Sequence, residues 1–260
     1  MNYSPAFFGP NANPVAEFTD ATIPKYTNVS LSGNYFFGFG DKTVNPELKI
    51  EIPLVSERVS LKLWVALWEY YAVNQAVYDE RQMAGNLNGT TNGGDIYVQT
   101  RISVLKETKI IPAVILNSTL KTASGEQFAE RRYFNTPGYY FDTEIAKSIL
   151  FKTNIINDLR FVINTGFLCW ETTESVQNDS FLYGGKIILS NRAVDFENAL
   201  AGYTSRIGNG DNPLVYSAKL TVKFHNFHLF AQYKYGIRDW HYNQLQAGVS
   251  VDLQRITPRY

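Results

Sequence analysis

The chain has 260 residues, with 24 basic and 24 acidic side chains and an aromatic content of 15%. Zero formal charge lacks the basic footprint of a nucleic-acid binder, and 45% hydrophobic residues exclude intrinsic disorder. The single cysteine, Cys169, excludes an internal disulfide framework and a cysteine-based zinc site. No run approaches the roughly 18 apolar residues of a membrane-spanning helix, but a span built from strands stays open.

Residues 1–25 carry Pro5, Pro10, Pro14 and Pro24 among Phe7, Phe8 and Phe18, too many prolines for a hydrogen-bonded strand. The segment is expected to be an ordered N-terminal extension with three possible placements. It folds into the rest of the chain as a plug (Phe7, Phe8, Pro10, Pro14 and Phe18 being its candidates), docks on a periplasmic partner, or packs beneath a rim. The opening has neither a basic nor an apolar leader region, so an exported form is expected to have lost its signal peptide already.

From residue 26 onward the pattern is alternation with period two. Leu48, Ile50, Ile52 and Leu54 alternate with Glu47, Lys49 and Glu51; Leu245, Ala247, Val249, Val251 and Leu253 alternate with Gln244, Gln246, Ser250 and Asp252. A helix would mix these sets, whereas a strand separates them. Twelve strands are expected, over residues 26–39, 45–55, 58–72, 94–106, 109–123, 139–152, 159–173, 181–190, 193–207, 213–225, 227–239 and 242–255. Asn198 breaks the pattern by falling on the apolar face of the ninth.

The connections alternate between short (56–57, 107–108, 153–158, 191–192, 225–226) and long or Gly/Asn-rich (40–44, 74–93, 125–138, 174–180, 208–212). This fits an all-β, twelve-stranded antiparallel transmembrane barrel spanning residues 26–260, with both termini on the short-turn, periplasmic side. Cys169 is expected on the lipid face.

Three features place the apolar face outside. Twelve strands enclose more space than side chains alone fill. The polar face carries Lys49, Glu51, Lys62, Arg101, Lys121, Asp142, Glu144, Arg160, Lys186, Asp195, Glu197, Lys219, Lys223 and Lys234, nine cations against five anions. Aromatics crowd the long-loop strand ends as an expected interfacial girdle, from Tyr35, Phe36, Phe37 and Phe39 through Trp68, Tyr70, Tyr71, Tyr97, Tyr139, Tyr140, Phe141, Trp170, Phe181, Tyr183, Tyr203, Tyr233 and Tyr235 to Trp240 and Tyr242. A soluble sandwich, with the same charges in solvent, is the competing arrangement.

The motifs Gly9-Pro10-Asn11-Ala12-Asn13-Pro14-Val15-Ala16-Glu17-Phe18, Lys121-Thr122-Ala123-Ser124-Gly125 and Thr136-Pro137-Gly138-Tyr139-Tyr140-Phe141-Asp142 resemble those of outer-membrane β-barrel proteins from Bacteroidota-type bacteria. The resemblance spans most of the chain and implies location more than activity. Similar barrels serve as channels or as accessory subunits of outer-membrane machines.

No catalytic constellation emerges. His225, His228 and His241 have no serine within two residues, so a serine hydrolase of membrane lipids is the weakest reading. His228 is expected to face the lumen. Asp195-x-Glu197 and Asp142-x-Glu144 each put two carboxylates on one face. They suit a hard cation, or pairing with Arg160, Lys186 or Lys147, and pairing is the better fit. No cofactor or metal is expected. The expected partners are outer-membrane lipid and, for an accessory subunit, other outer-membrane or periplasmic proteins. The expected function is a porin-like channel for small polar or anionic solutes, with the non-catalytic subunit as the alternative.

Overall fold

The structure, a computed structural model, describes residues 4–5, 7–55, 57–152, 156–171 and 177–253. Residues 56, 153–155, 172–176 and 254–260, where several expected turns and the end of the last strand fall, lie outside this set.

The elements are β1 (Thr27–Gly38), β2 (Asp41–Val55), β3 (Val59–Ala66), β4 (Glu69–Val73), α1 (Gln75–Glu80), β5 (Asn88–Thr91), β6 (Tyr97–Leu105), β7 (Ala113–Lys121), β8 (Gly138–Leu150), β9 (Asp158–Glu171), β10 (Gln177–Ser190), β11 (Val194–Thr204), β12 (Leu214–Lys223), β13 (Phe227–Arg238) and β14 (Asn243–Leu253). β3 and β4 are the lower and upper parts of one stave, and both pair with β2. β5 pairs with β4 on the long-loop side. The remaining strands follow one another antiparallel around the ring, and β1 pairs with both β2 and β14. The result is a closed twelve-stranded antiparallel barrel. Closure pairs every stave on both sides, the condition for placing backbone in hydrocarbon.

The period of two sets the faces. Leu31, Ile163, Phe196, Leu220 and Leu245 are exposed on the outer wall, while Arg101, Asn117, Glu144 and Asn164 are buried within the barrel. The soluble sandwich is thereby overturned, since the charges are enclosed and the apolar side chains are not. Asn198 does face outward, and Tyr216 Oη on the neighbouring strand donates to its side-chain carbonyl at 2.6 Å. A cross-strand partner thus satisfies the amide that breaks the pattern.

Several elements differ from expectation. The 40–44 loop is a tight hairpin: β2 starts at Asp41, and Phe39 and Gly40 take positive φ (52° and 80°). β10 starts at Gln177, four residues before the expected strand. α1 is a single short helix capped by Asn74, whose side chain accepts from the Val77 N–H; it is too short to leave a periodicity. Cys169 has outward parity yet is fully buried, flanked by Tyr139 and Asp179 on the adjacent strands.

The expected girdle divides by parity. Tyr35, Phe39, Trp68, Tyr70, Phe141, Phe181 and Tyr235 are exposed outside, but Phe36, Tyr71, Tyr97, Tyr140, Trp170, Tyr203, Trp240 and Tyr242 are buried inside the long-loop end. Alternating strands send neighbouring aromatics to opposite faces, so only half can reach the lipid boundary.

Ile163 sits near the middle of β9 and is 61% exposed. Ile163→Arg should cost about 2–4 kcal/mol, the range for a charge on the lipid face at mid-depth. Equilibrium urea unfolding in lipid vesicles measures it; a loss below about 0.5 kcal/mol contradicts lipid exposure there.

Candidate functional site

Residues 7–21 run through the lumen. The segment is non-strand throughout, as its prolines require. It enters beside the short-turn rim, where Thr27 pairs with Leu253. It climbs past Glu144, and Phe8 lies under the long-loop end. A Cβ on Gly210, in the long connection after β11, would lie 3.6 Å from Ser4 Cβ. The first and last described stretches therefore end at opposite rims. The expectation of both termini on one side counted only strands, and an even strand count says nothing about a segment that returns through the barrel.

Two kinds of contact hold this segment. The first is apolar. Phe18 packs with Ala113, Ile115, Ala146, Val162, Ile188 and Ala199, small or branched side chains on the inner wall. Gly184 provides its seat, since a Cβ there would lie 2.6 Å from the Phe18 ring. Phe8 stacks on Phe134 with centroids 3.9 Å apart, and both are buried. Gly9 has a similar role, since a Cβ would come within 2.9 Å of the Arg132 carbonyl.

The second kind is ionic and hydrogen-bonded. Lys49 Nζ lies 3.0 Å from the Glu17 carboxylate, which Lys234 also holds. Lys186 Nζ donates to the Phe18 carbonyl at 2.6 Å, and Arg160 Nε to the Asp20 carbonyl at 2.6 Å. Thr19 donates its N–H and hydroxyl to Glu144 at 2.9 and 2.5 Å, and its hydroxyl accepts from Arg101. Five of the nine expected lumen cations thus use oxygens that the segment supplies.

The other predicted charges are placed as follows. Glu51 takes Arg101 at 2.6 Å; Glu197 takes Lys186 at 3.0 Å and Lys219 at 3.6 Å; Asp195 takes Lys223 at 2.7 Å. Asp142 is bound by the Asn117 and Asn164 amides at 2.8 and 2.6 Å. Lys121 pairs with Asp95 at 2.6 Å. Arg160 and Lys147 go to Glu107 instead of the carboxylate pairs expected for them. His228 lines the lumen with Nε2 3.1 Å from Asp252. Of the proposed plug residues, Phe7, Phe8 and Phe18 are buried and Pro10 and Pro14 line the inner cavity.

The long-loop end is filled. Arg132 on the 122–137 connection reaches Asp41 at 2.8 Å, Glu69 at 2.9 Å and the Thr43 hydroxyl at 2.6 Å, with its guanidinium over the Tyr71 ring. Arg81, just after α1, reaches the same Asp41 at 2.7 Å and Tyr242 Oη at 2.6 Å. Asn11 donates to Glu69 at 2.7 Å, tying the segment to this cluster. Burial alone would lower the Arg132 pKa, but Asp41 and Glu69 raise it above the usual value. Both long connections, 74–93 and 125–138, send these arginines inward. A charged pair such as Arg131-Arg132 in a loop reads as solvated, and nothing local marks it otherwise.

Below this cap, toward the short-turn rim, lies a cavity of about 430 Å³ lined by Glu17, Asp20, Lys49, Glu51, Lys62, Asp158, Arg160, Lys186, Asp195, Glu197, Lys219 and Lys234 with Phe230, Gln232 and Gln246. A smaller space of about 90 Å³ continues upward past Pro14, Lys62, Trp64, Tyr97 and Trp170. The arrangement offers a charge-lined chamber beneath the loop cap.

No protein-family model matches the chain, and no curated protein sequence is significantly similar to it. Solved structures share the fold. An outer membrane channel from Pseudomonas putida F1 superposes with a TM-score of 0.66 at 8% identity, covering 92% of this chain and all of the other. The NanC porin superposes at 0.55 and 13% identity, covering 86% of this chain and all of the porin. The chain therefore has the fold of bacterial outer-membrane β-barrels.

Removing Arg132 should leave Asp41 and Glu69 short of a buried partner. Arg132→Met is expected to cost about 3–5 kcal/mol in vesicle unfolding; a loss under about 1 kcal/mol would mean water reaches the cluster. At the other rim, Glu107 accepts from the Ser148 N–H at 2.8 Å and from Arg160 at 2.5 Å. Burial pushes its pKa up, but these donors outweigh burial and hold it below the ordinary value. Its contribution is thus present above the unfolded-state pKa of about 4.3 and disappears as pH falls through the lower folded-state value. Glu107→Gln should destabilise at neutral pH and match the parent well below pH 4; an equal deficit at both refutes the linkage.

Proposed function

We propose that the protein is a porin-like outer-membrane channel for small polar or anionic solutes, with the N-terminal segment as a plug in its lumen. The observation that carries this reading is the charged 430 Å³ chamber, whose lining reaches Asp158, Ser190 and Ser250 at the short-turn end, inside a barrel closed on itself. The chamber is lined by six acidic and six basic side chains; two of the acids, Glu17 and Asp20, come from the plug, so the wall alone carries an excess of cations, which favours anions. The shared fold of a channel and a porin agrees with it. The apolar outer wall meets lipid, and the motifs noted above point to a Bacteroidota-type outer membrane.

In this reading the short turns face the periplasm and the long loops face outward, the usual arrangement of such barrels. Ser4 then lies toward the outer surface, and Leu253 toward the periplasm. We assign no catalysis: His228 is tied to Asp252, and His241 stacks on Phe39.

The buried cap of Arg81, Arg132, Asp41 and Glu69 favours a second reading, a closed barrel acting as a non-catalytic subunit of an outer-membrane complex. Purification in mild detergent separates the two, since a subunit should carry a co-purifying protein.

Planar-bilayer recordings test the channel. The full chain should conduct weakly, and removal of residues 1–25 should raise conductance several-fold. Gly184→Leu, which takes the Phe18 seat, should do the same in the full chain. No conductance from any of the three defeats the reading. A peptide tag ahead of Met1 should be stained by antibody on intact cells, and one after Tyr260 only after permeabilisation; the opposite pattern reverses the orientation.

A further inference from the structure

Three lysines converge on the space around Glu17. Lys49 on β2 and Lys234 on β13 both hold its carboxylate, while Lys62 on β3 lines the same two cavities. Lys49 also meets Glu47 at 2.9 Å. The next carboxylate, Glu51, is engaged by Arg101 and by the Ser60 hydroxyl at 2.7 Å. Among the described residues Lys62 makes no ion pair; its Nζ lies 5.4 Å from the centre of the Trp64 ring. The cluster therefore has three cations for two available anions, one of which, Glu17, belongs to the plug and not to the wall. An enclosed cation without a counterion is costly unless hydrated or paired. The Glu17 side chain is itself 40% exposed to the chamber, so a solute can reach it.

We propose that Lys49, Lys62 and Lys234 form a carboxylate-binding site in the lumen, that Glu17 occupies it as a built-in surrogate ligand, and that a solute carboxylate displaces Glu17 to gain entry. The proposal rests on the reading of the lumen as a solute path and gives that path its ligand chemistry. It also gives the plug a way to loosen: the incoming carboxylate takes over the Glu17 pairs, and the segment keeps the Phe18, Thr19, Asp20 and Ala21 contacts beside it.

Iodide binding to the full-length refolded protein, followed by quenching of Trp64, tests the site without requiring conduction. Subtracting the signal of Trp64→Phe isolates the reporter, and heat-modifiable gel mobility confirms that each variant is folded. Glu17→Gln should lower the half-saturating iodide concentration about tenfold, as loss of one competing ion pair would. Acetate should reverse the quenching, while tetramethylammonium bromide should do so no better than its bromide content allows. Lys62→Met should weaken binding about tenfold in either background, which keeps the test decisive if Glu17→Gln does not fold. Equal half-saturation in parent and Glu17→Gln, or no change with Lys62→Met, overturns the proposal. Quenching that behaves as described in a protein that never conducts would retire the channel and keep the site. Conduction with no saturable quenching would do the reverse.

Discussion

The pairing of β1 with β14 governs everything else in this molecule. A backbone placed in hydrocarbon must find all its hydrogen bonds within the protein, and a sheet can do so only by meeting itself. Once the ring is closed, each stave has one face toward lipid and one toward the lumen. The even alternation of Leu, Ile, Val and Phe with Lys, Glu, Asn and Gln then divides the side chains with little freedom left. Closure also creates the difficulty that the rest of the structure resolves, because it encloses charges at high density in a narrow space.

Those charges are met by two different means. Near the long-loop end they are dry and paired: Arg132 and Arg81 meet Asp41 and Glu69 with almost no exposure, braced by Tyr242, Tyr133 and the Phe8–Phe134 stack. Near the short-turn end they remain beside the 430 Å³ chamber, and part of their partnership comes from the N-terminal segment. Its carbonyls, the Thr19 hydroxyl and the Glu17 carboxylate serve Lys186, Arg160, Arg101, Lys49 and Lys234. A plug built this way is attached by groups that a polar solute also presents, which makes attachment and recognition one chemical question.

The strand pattern was legible because period-two alternation is written residue by residue. Expected and observed strand limits mostly agree within a few residues, and the larger departures are local. The 39–40 hairpin looks like a loop by composition but is short enough for β2 to start at Asp41. Asn198 breaks the apolar face in sequence and is satisfied by Tyr216 in space. The lumen charges were legible for the same reason as the strands. Their partners were not, because Arg160 with Glu107 and Asp142 with Asn117 join residues far apart in sequence. The arginines of the cap and the role of Glu17 left no local mark at all.

By itself, then, the sequence determined that the chain alternates, how many staves it forms, which side chains share a face, and that residues 1–25 cannot join the ladder. These are properties of neighbouring residues and of proline's missing N–H. Only the tertiary structure decided that the N-terminal segment turns back through the lumen toward the opposite rim, that half of the aromatic belt seals the interior, and that Glu17 sits among lysines from β2, β3 and β13. Those outcomes depend on which residues meet across a closed ring, and ring closure is a long-range condition that no stretch of neighbouring residues encodes.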